Sequence, residues 1–84
     1  MNSRHRRTLE LIFAEPTPAT IEWRQVEALL RALGAEVQEG EGSRIRIALN
    51  DARAVFHRPH PRNEIGRLAI RDLREFLRNA GVEV

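Results

Sequence analysis

The chain has 84 residues, of which 42% are hydrophobic and 31% are charged. This composition is typical of a single globular domain with a small hydrophobic core. No apolar run approaches the roughly 18 residues of a membrane-spanning helix, and the absence of cysteine excludes a disulfide framework and a thiolate metal site. The N-terminal apolar run is short and interrupted by Glu10, so we expect no signal peptide and a cytoplasmic protein.

The positive charge of the chain is carried by one residue type. The formal net charge is +2, and all 14 basic residues are arginine. The planar arginine fork suits phosphate and carboxylate groups better than the point charge of lysine does. Arginine-rich codon usage would give the same composition, so composition alone does not establish a nucleic-acid partner.

The first predicted helix covers residues 3–15. Its apolar residues recur at helical spacing: Leu9, Ile12 and Phe13. Three arginines lie in its first turn, at positions 4, 6 and 7, and they predict a frayed start because the N-terminal end of a helix already carries partial positive charge. Proline disfavours helical conformation in the residue before it, so the helix should end at Glu15-Pro16-Thr17-Pro18, in a linker that runs to about Thr20.

The second predicted helix has Thr20 as its N-cap and Gly34 as the residue that ends it, because glycine readily adopts the left-handed conformation found after many helices. One face carries apolar residues at helical spacing: Trp23, Val26, Leu29, Leu30 and Leu33. Trp23 extends this stripe, so we expect it in the core rather than as a platform for stacking.

The clearest pattern in the chain is residues 42–61, GSRIRIALNDARAVFHRPHP. Apolar and other residues alternate over residues 44–49, which predicts a half-buried strand. Asn50-Asp51 supplies turn chemistry, and an extended pattern resumes until two prolines prevent further pairing. Residues 35–39 alternate weakly before this hairpin and predict an edge strand.

A two-residue loop at Asn50-Asp51 fixes the register of the hairpin. The predicted cross-strand partners are Leu49 with Ala52, Ile47 with Ala54, Ile45 with Phe56, Arg46 with Val55, and Arg44 with His57. A slip of one residue would move Arg53 and His57 to the apolar side, so the hydrophobic pattern selects this register. One face is then core, and the other carries Arg44, Arg46, Arg53 and His57.

After the hairpin, residues 62–66 are predicted as loop and residues 67–80 as a final helix that stops at Gly81. Its predicted apolar positions are Ala69, Ile70, Leu73, Phe76 and Leu77, and its predicted exposed arginines are Arg67, Arg71, Arg74 and Arg78. The element order is ααβββα. We therefore predict an α+β fold in which helices cover one face of a three-stranded antiparallel sheet.

His57 and His60 are the residues best suited to catalysis. RNA cleavage needs a base for the 2′-OH proton and a cation for the phosphorane charge, and imidazole and guanidinium supply these. The alternative is structural: His57 ends a strand and His60 orders the turn between the prolines. No third ligand lies near the two histidines in sequence, and Gly40-Glu41-Gly42 opens a strand rather than a helix, so neither a metal nor another cofactor is expected.

Together these features resemble the HicA family of toxins. The residues that carry the resemblance are the Gly42-Ser43 opening, the close from Val55 to Pro61, and the Asn79-Ala80-Gly81 end of the last helix. The resemblance implies a fold like the double-stranded RNA-binding domain, cleavage of mRNA, and neutralisation by a HicB-like antitoxin. It covers about residues 23–82; we expect one domain, with residues 1–19 as an extension to a core of residues 20–84.

The family pattern places a catalytic histidine directly after Gly-Ser, where this chain has Arg44. Arginine stays protonated and cannot act as a base. The predicted catalytic residues are therefore His57 and His60, and the predicted RNA-binding residues are Ser43, Arg44, Arg46, Arg53, Arg58, Arg62 and Arg67. Three functions stay open: metal-independent RNA cleavage, RNA binding without cleavage, and a protein-interaction module that engages an antitoxin.

Overall fold

The computed structural model describes residues 1–84. Its elements are α1 (Ser3–Phe13), β1 (Thr20–Glu22), α2 (Trp23–Ala32), β2 (Glu36–Glu39), β3 (Arg44–Leu49), β4 (Ala52–His57), β5 (Glu64–Gly66) and α3 (Arg67–Asn79). Strands β2, β3 and β4 form an antiparallel sheet with β3 in the centre. Because α2 packs against β2 and α3 against β4, the predicted α+β fold with helices over a three-stranded sheet is confirmed.

The hairpin register is the one that the hydrophobic pattern predicts. Leu49 pairs with Ala52, Ile45 with Phe56, and Arg44 with His57. Five of the six inward residues of β3 and β4 are at most 9% exposed and the sixth, Ala54, is half-buried, whereas the arginines beside them are exposed. The turn is held from outside the hairpin as well, since Asn50 (φ 53°) donates from Nδ2 to the carbonyl oxygen of Ala80 at 2.6 Å.

Both long helices of the core end as predicted. Gly34 (φ 94°) follows α2 and Gly81 (φ 85°) follows α3. In each case the next residue donates its backbone N–H to the carbonyl oxygen five residues back, from Ala35 to Leu30 at 2.9 Å and from Val82 to Leu77 at 2.8 Å. These bonds satisfy carbonyl groups that a helix end otherwise leaves without donors.

Two short strands replace segments that the sequence predicts as helix cap and loop. Thr20 is not the N-cap of α2; it lies in β1, which pairs antiparallel with β5. Helix α2 begins only at Trp23, whose backbone N–H donates to the Asn63 carbonyl oxygen at 2.7 Å. The prediction that residues 62–66 are entirely loop is therefore wrong for residues 64–66. These residues form a strand because pairing with β1 satisfies their backbone hydrogen-bonding groups.

Helix α1 is bound to the rest of the domain by a buried arginine. Arg74 is 7% exposed, so the prediction that it lies on the exposed side of α3 is wrong. Its guanidinium donates to the carbonyl oxygens of Ile12 (2.9 Å) and Ala14 (3.1 Å), to Thr17 Oγ1 (3.2 Å) and to Glu15 Oε2 (3.1 Å). These four bonds hold the C-terminal end of α1 and the linker after it against α3.

The first helix is two residues shorter than predicted, ending at Phe13, and its first turn is helical from Ser3. Asn2 caps it by accepting a hydrogen bond from the His5 backbone N–H at 2.8 Å, which offsets the unfavourable charge at this end. Trp23 is 2% exposed, as the apolar stripe predicts, and its Nε1 has no hydrogen-bond partner. No helix combines the length and the hydropathy needed to cross a bilayer.

Candidate nucleic-acid interface

The sheet has an outer face that no helix covers, and its residues lie in three rows across the strands. The rows, each read from β2 through β3 to β4, are Glu36–Ala48–Arg53, Gln38–Arg46–Val55 and Gly40–Arg44–His57. Neighbouring strands are about 4.8 Å apart, so side chains within one row lie close enough to act together. We call this surface the outer sheet face.

Arg44 and His57 are direct neighbours on this face. The backbone N–H of Arg58 donates to the Ser43 carbonyl oxygen at 2.7 Å, just beyond the pair. That bond makes Arg44 and His57 a non-hydrogen-bonded pair, the arrangement in which facing side chains approach most closely. Both side chains are exposed, so a cation and an imidazole are presented together to any ligand of the outer sheet face.

The outer sheet face is hollow near the hairpin turn, where the middle residue of the end row is small. A concavity of about 530 Å³ lies over Ala48, and its polar lining comes from Glu36, Gln38, Arg46 and Arg53. Its apolar lining includes Val55, which is 59% exposed. This combination of an apolar floor with a few converging polar groups is typical of ligand sites.

The arginines of the outer sheet face have no acidic partner. The three salt bridges of the protein are elsewhere: Arg31–Glu27, Arg58–Glu39 and Arg74–Glu15. Glu36, the one acidic side chain of the rows, lies at the β2 edge and forms no salt bridge with Arg46 or Arg53. The face is therefore positively charged, with guanidinium groups free to bind phosphate or carboxylate.

The remaining predicted site residues are not part of the three rows. Arg58 follows His57 in the chain and points to the other side, where its Nη2 contacts Glu39 Oε2 at 2.7 Å. His60 and Arg62 are exposed in the segment between β4 and β5. Arg67 begins α3, and its Nε donates to the Thr17 carbonyl oxygen at 3.4 Å. Ser43 lies in the turn before β3, next to the Arg44–His57 pair.

Sequence reasoning did not single out the hollow or its apolar lining. Ala48 and Val55 both follow from the predicted register, which places them beside arginines on the outward side, but their apolar side chains carry no chemical signal of a site. The depth of the hollow depends on the neighbouring long side chains as well as on the strand pattern. No group of three His, Asp or Glu side chains is arranged to hold a metal ion.

A comparison with models of protein families identifies the family of this chain. A family model described as the HicA toxin of bacterial toxin-antitoxin systems matches residues 23–82, more than two thirds of the chain. The chain belongs to the HicA toxin family. No curated protein and no solved structure matches the chain. The matched region contains the whole three-stranded sheet with α2 and α3, and it leaves α1 outside.

Proposed function

We propose that this HicA-family chain is the toxin of a toxin–antitoxin pair that binds RNA in the cytoplasm through its outer sheet face, and that a HicB-like antitoxin neutralises it by covering that face. The observation that carries the proposal is the set of exposed arginines without acidic partners, Arg44, Arg46 and Arg53, on one side of the sheet. Guanidinium forks pair well with phosphate oxygens, and the hollow over Ala48 gives a base or an antitoxin side chain a place to pack.

The proposed reaction is metal-independent cleavage of the RNA backbone. His57 accepts the proton of a 2′-OH, the 2′-oxygen attacks the adjacent phosphorus, and the bond to the 5′-oxygen breaks, leaving a 2′,3′-cyclic phosphate. Arg44, the partner of His57 across the strands, stabilises the charge of the phosphorane. The leaving 5′-oxygen takes a proton from protonated His57 or from His60. General acid–base help of this kind contributes roughly 10²–10⁴-fold to a rate.

Expression of the chain in bacteria should arrest growth, and His57→Ala should relieve the arrest. The control is Arg71→Ala, which changes an exposed residue of α3 outside the outer sheet face. Relief by His57→Ala but not by the control supports the mechanism. Toxicity that persists unchanged in the His57→Ala, His60→Ala double variant contradicts it, provided that both proteins accumulate to the wild-type level.

A second function is favoured by one observation: Arg44 occupies the position where the family pattern has its histidine. The chain would then bind RNA, or only its antitoxin, without cutting. Two assays on the purified protein distinguish these cases. Cleavage of labelled RNA is followed on a gel, and the affinity for RNA is measured at several salt concentrations. Cleavage that appears only in Arg44→His favours the non-cutting function; tight antitoxin binding with no RNA affinity at low salt favours the interaction module.

A further inference from the structure

Helix α1 presents a second group of arginines, away from the outer sheet face. Arg4, Arg6 and Arg7 are exposed, and none of them forms a salt bridge. Arg4 also lines a groove with Arg24, the second residue of α2, and with Glu22, which forms no salt bridge to either arginine. Because α1 packs against α2 and α3, this group, which we call the α1 basic patch (Arg4, Arg6, Arg7 and Arg24), lies on the helical side of the domain.

The stability of α1 does not account for these arginines. Cations in the first turn oppose the helix dipole and therefore destabilise the helix. The first turn contains no acidic residue, and Asn2 has to cap the helix. Glu10 is four residues after Arg6, the spacing of a helical ion pair, yet the two form no salt bridge. A chain under selection for helix stability alone would place acidic residues here.

The α1 basic patch is also held in a fixed position. Leu9 and Ile12 are buried in the core, and the four bonds of Arg74 fix the end of the helix and the following linker. Binding to a preorganised helix costs less conformational entropy than binding to a flexible basic tail, which has to become ordered in the complex. The four hydrogen bonds of Arg74 therefore make the patch a rigid surface, although the helix lies outside the family match.

The lining of the patch favours a phosphate backbone over a protein or a lipid. A shallow hollow of about 400 Å³ is lined by Ser3, Arg4, Arg6, Arg7 and Glu10, without a hydrophobic residue. Stable protein interfaces need an apolar core, and interfacial membrane helices need an apolar face, whereas contacts to RNA phosphates need only positive charge and hydrogen-bond donors.

We infer that the α1 basic patch is a second RNA-binding site, which contacts the phosphate backbone outside the sheet and extends the RNA footprint onto the helical side. The inference rests on the proposed RNA binding by the outer sheet face. The patch should add affinity for RNA without preference for particular bases, because phosphate contacts position an RNA and do not read its sequence.

The test compares two double variants that remove the same charge. Arg6→Gln, Arg7→Gln changes the patch, and Arg31→Gln, Arg71→Gln changes exposed arginines on α2 and α3. Affinity for a single-stranded RNA of about 16 nucleotides, the upper site size of common single-strand binders, is measured against salt. The patch variant should reduce the magnitude of the slope of log K against log salt by about 1.4, the value for two lost phosphate contacts on a single strand. The control should leave the slope nearly unchanged.

Equal slopes for the patch and control variants, with unchanged circular dichroism, would overturn the inference. The same holds if the patch variant keeps its RNA slope and loses antitoxin affinity, since the patch would then be a protein contact. A third variant, Arg46→Gln, Arg53→Gln, separates the two proposals. If it weakens RNA binding and the patch variant does not, only the second site fails; if the unaltered protein binds no RNA at low salt, the proposed function itself fails.

Discussion

Replacing Arg74 by methionine should remove the link between α1 and the rest of the domain while leaving the packing volume similar. The guanidinium of Arg74 is the donor for two buried acceptors, the Ile12 carbonyl oxygen at 2.9 Å and Thr17 Oγ1 at 3.2 Å. Each buried acceptor that loses its donor costs about 1–3 kcal/mol. The bonds to Ala14 and Glu15 are only partly buried, so water replaces much of their contribution.

We therefore expect Arg74→Met to lower the free energy of unfolding by about 3 kcal/mol, in the lower part of the range for leaving two buried acceptors without a donor. A domain of this size has a total stability of about 4–12 kcal/mol, so the loss is a large fraction of it. The corresponding drop in melting temperature is about 12–24 °C. Thermal unfolding followed by circular dichroism measures it directly.

The matched control for Arg74→Met is Glu15→Gln. The Glu15 side chain is 74% exposed, so its salt bridge to Arg74 contributes at most about 1 kcal/mol. If both variants melt at the same temperature, the hydrogen bonds from Arg74 to the backbone and to Thr17 contribute little to stability. Arg74 is then not what holds α1 in place. Hydrogen exchange adds a local readout, because the amides of Leu9 and Ile12 should lose protection in Arg74→Met and keep it in Glu15→Gln.

Substitutions at three other positions test the fold and the outer sheet face. Asn50→Ala should cost about 1–2 kcal/mol in urea unfolding, because it loses the bond to Ala80 and strains a left-handed residue; Asn50→Gly should cost less, and equal losses would show that the backbone conformation is not strained. Gly34→Ala should cost about 1–2 kcal/mol in the same assay, since φ there is 94° and a Cβ atom disfavours this conformation, and an unchanged midpoint would contradict this. Val55→Ser should lower affinity for RNA in a titration and cost about 1 kcal/mol or less in stability, because the side chain is 59% exposed and only the strand propensity changes; unchanged RNA affinity would contradict this.

The hairpin could be predicted in detail because its signal is local and repeated. An alternation of period two gives the face of every residue once the turn is known, and the turn itself has recognisable residues. The pairing of Arg44 with His57 followed from that register, and so did the exposure of Val55. The glycine ends of α2 and α3 were predictable for a similar reason, since a single residue type satisfies a specific backbone conformation.

Strands β1 and β5 could not be predicted in the same way. Each has three residues, which is too short for a periodic pattern, and the pairing joins Ile21 to Ile65 across most of the chain. Arg74 was misplaced for another reason. It lies four residues after Ile70 and three before Leu77, so its helical position is on the buried face, but its charge suggested exposure. The acceptors that make its burial favourable come from residues 12–17, which no pattern in α3 reveals.

The alternation of inward and outward residues in the hairpin also separates the residues that stabilise the domain from those proposed to bind RNA. Ile45 and Ile47 are buried at 0% and 2% exposure and belong to the core, whereas Arg44 and Arg46 between them are exposed. A substitution on the outer sheet face therefore changes its chemistry with little effect on stability. Arginine at position 44, where the family pattern has histidine, fits this arrangement, because the fold places no packing demand on that side chain. Arg44→His should accordingly fold with unchanged stability, and any change that it makes to RNA cleavage can be assigned to the face and not to the fold.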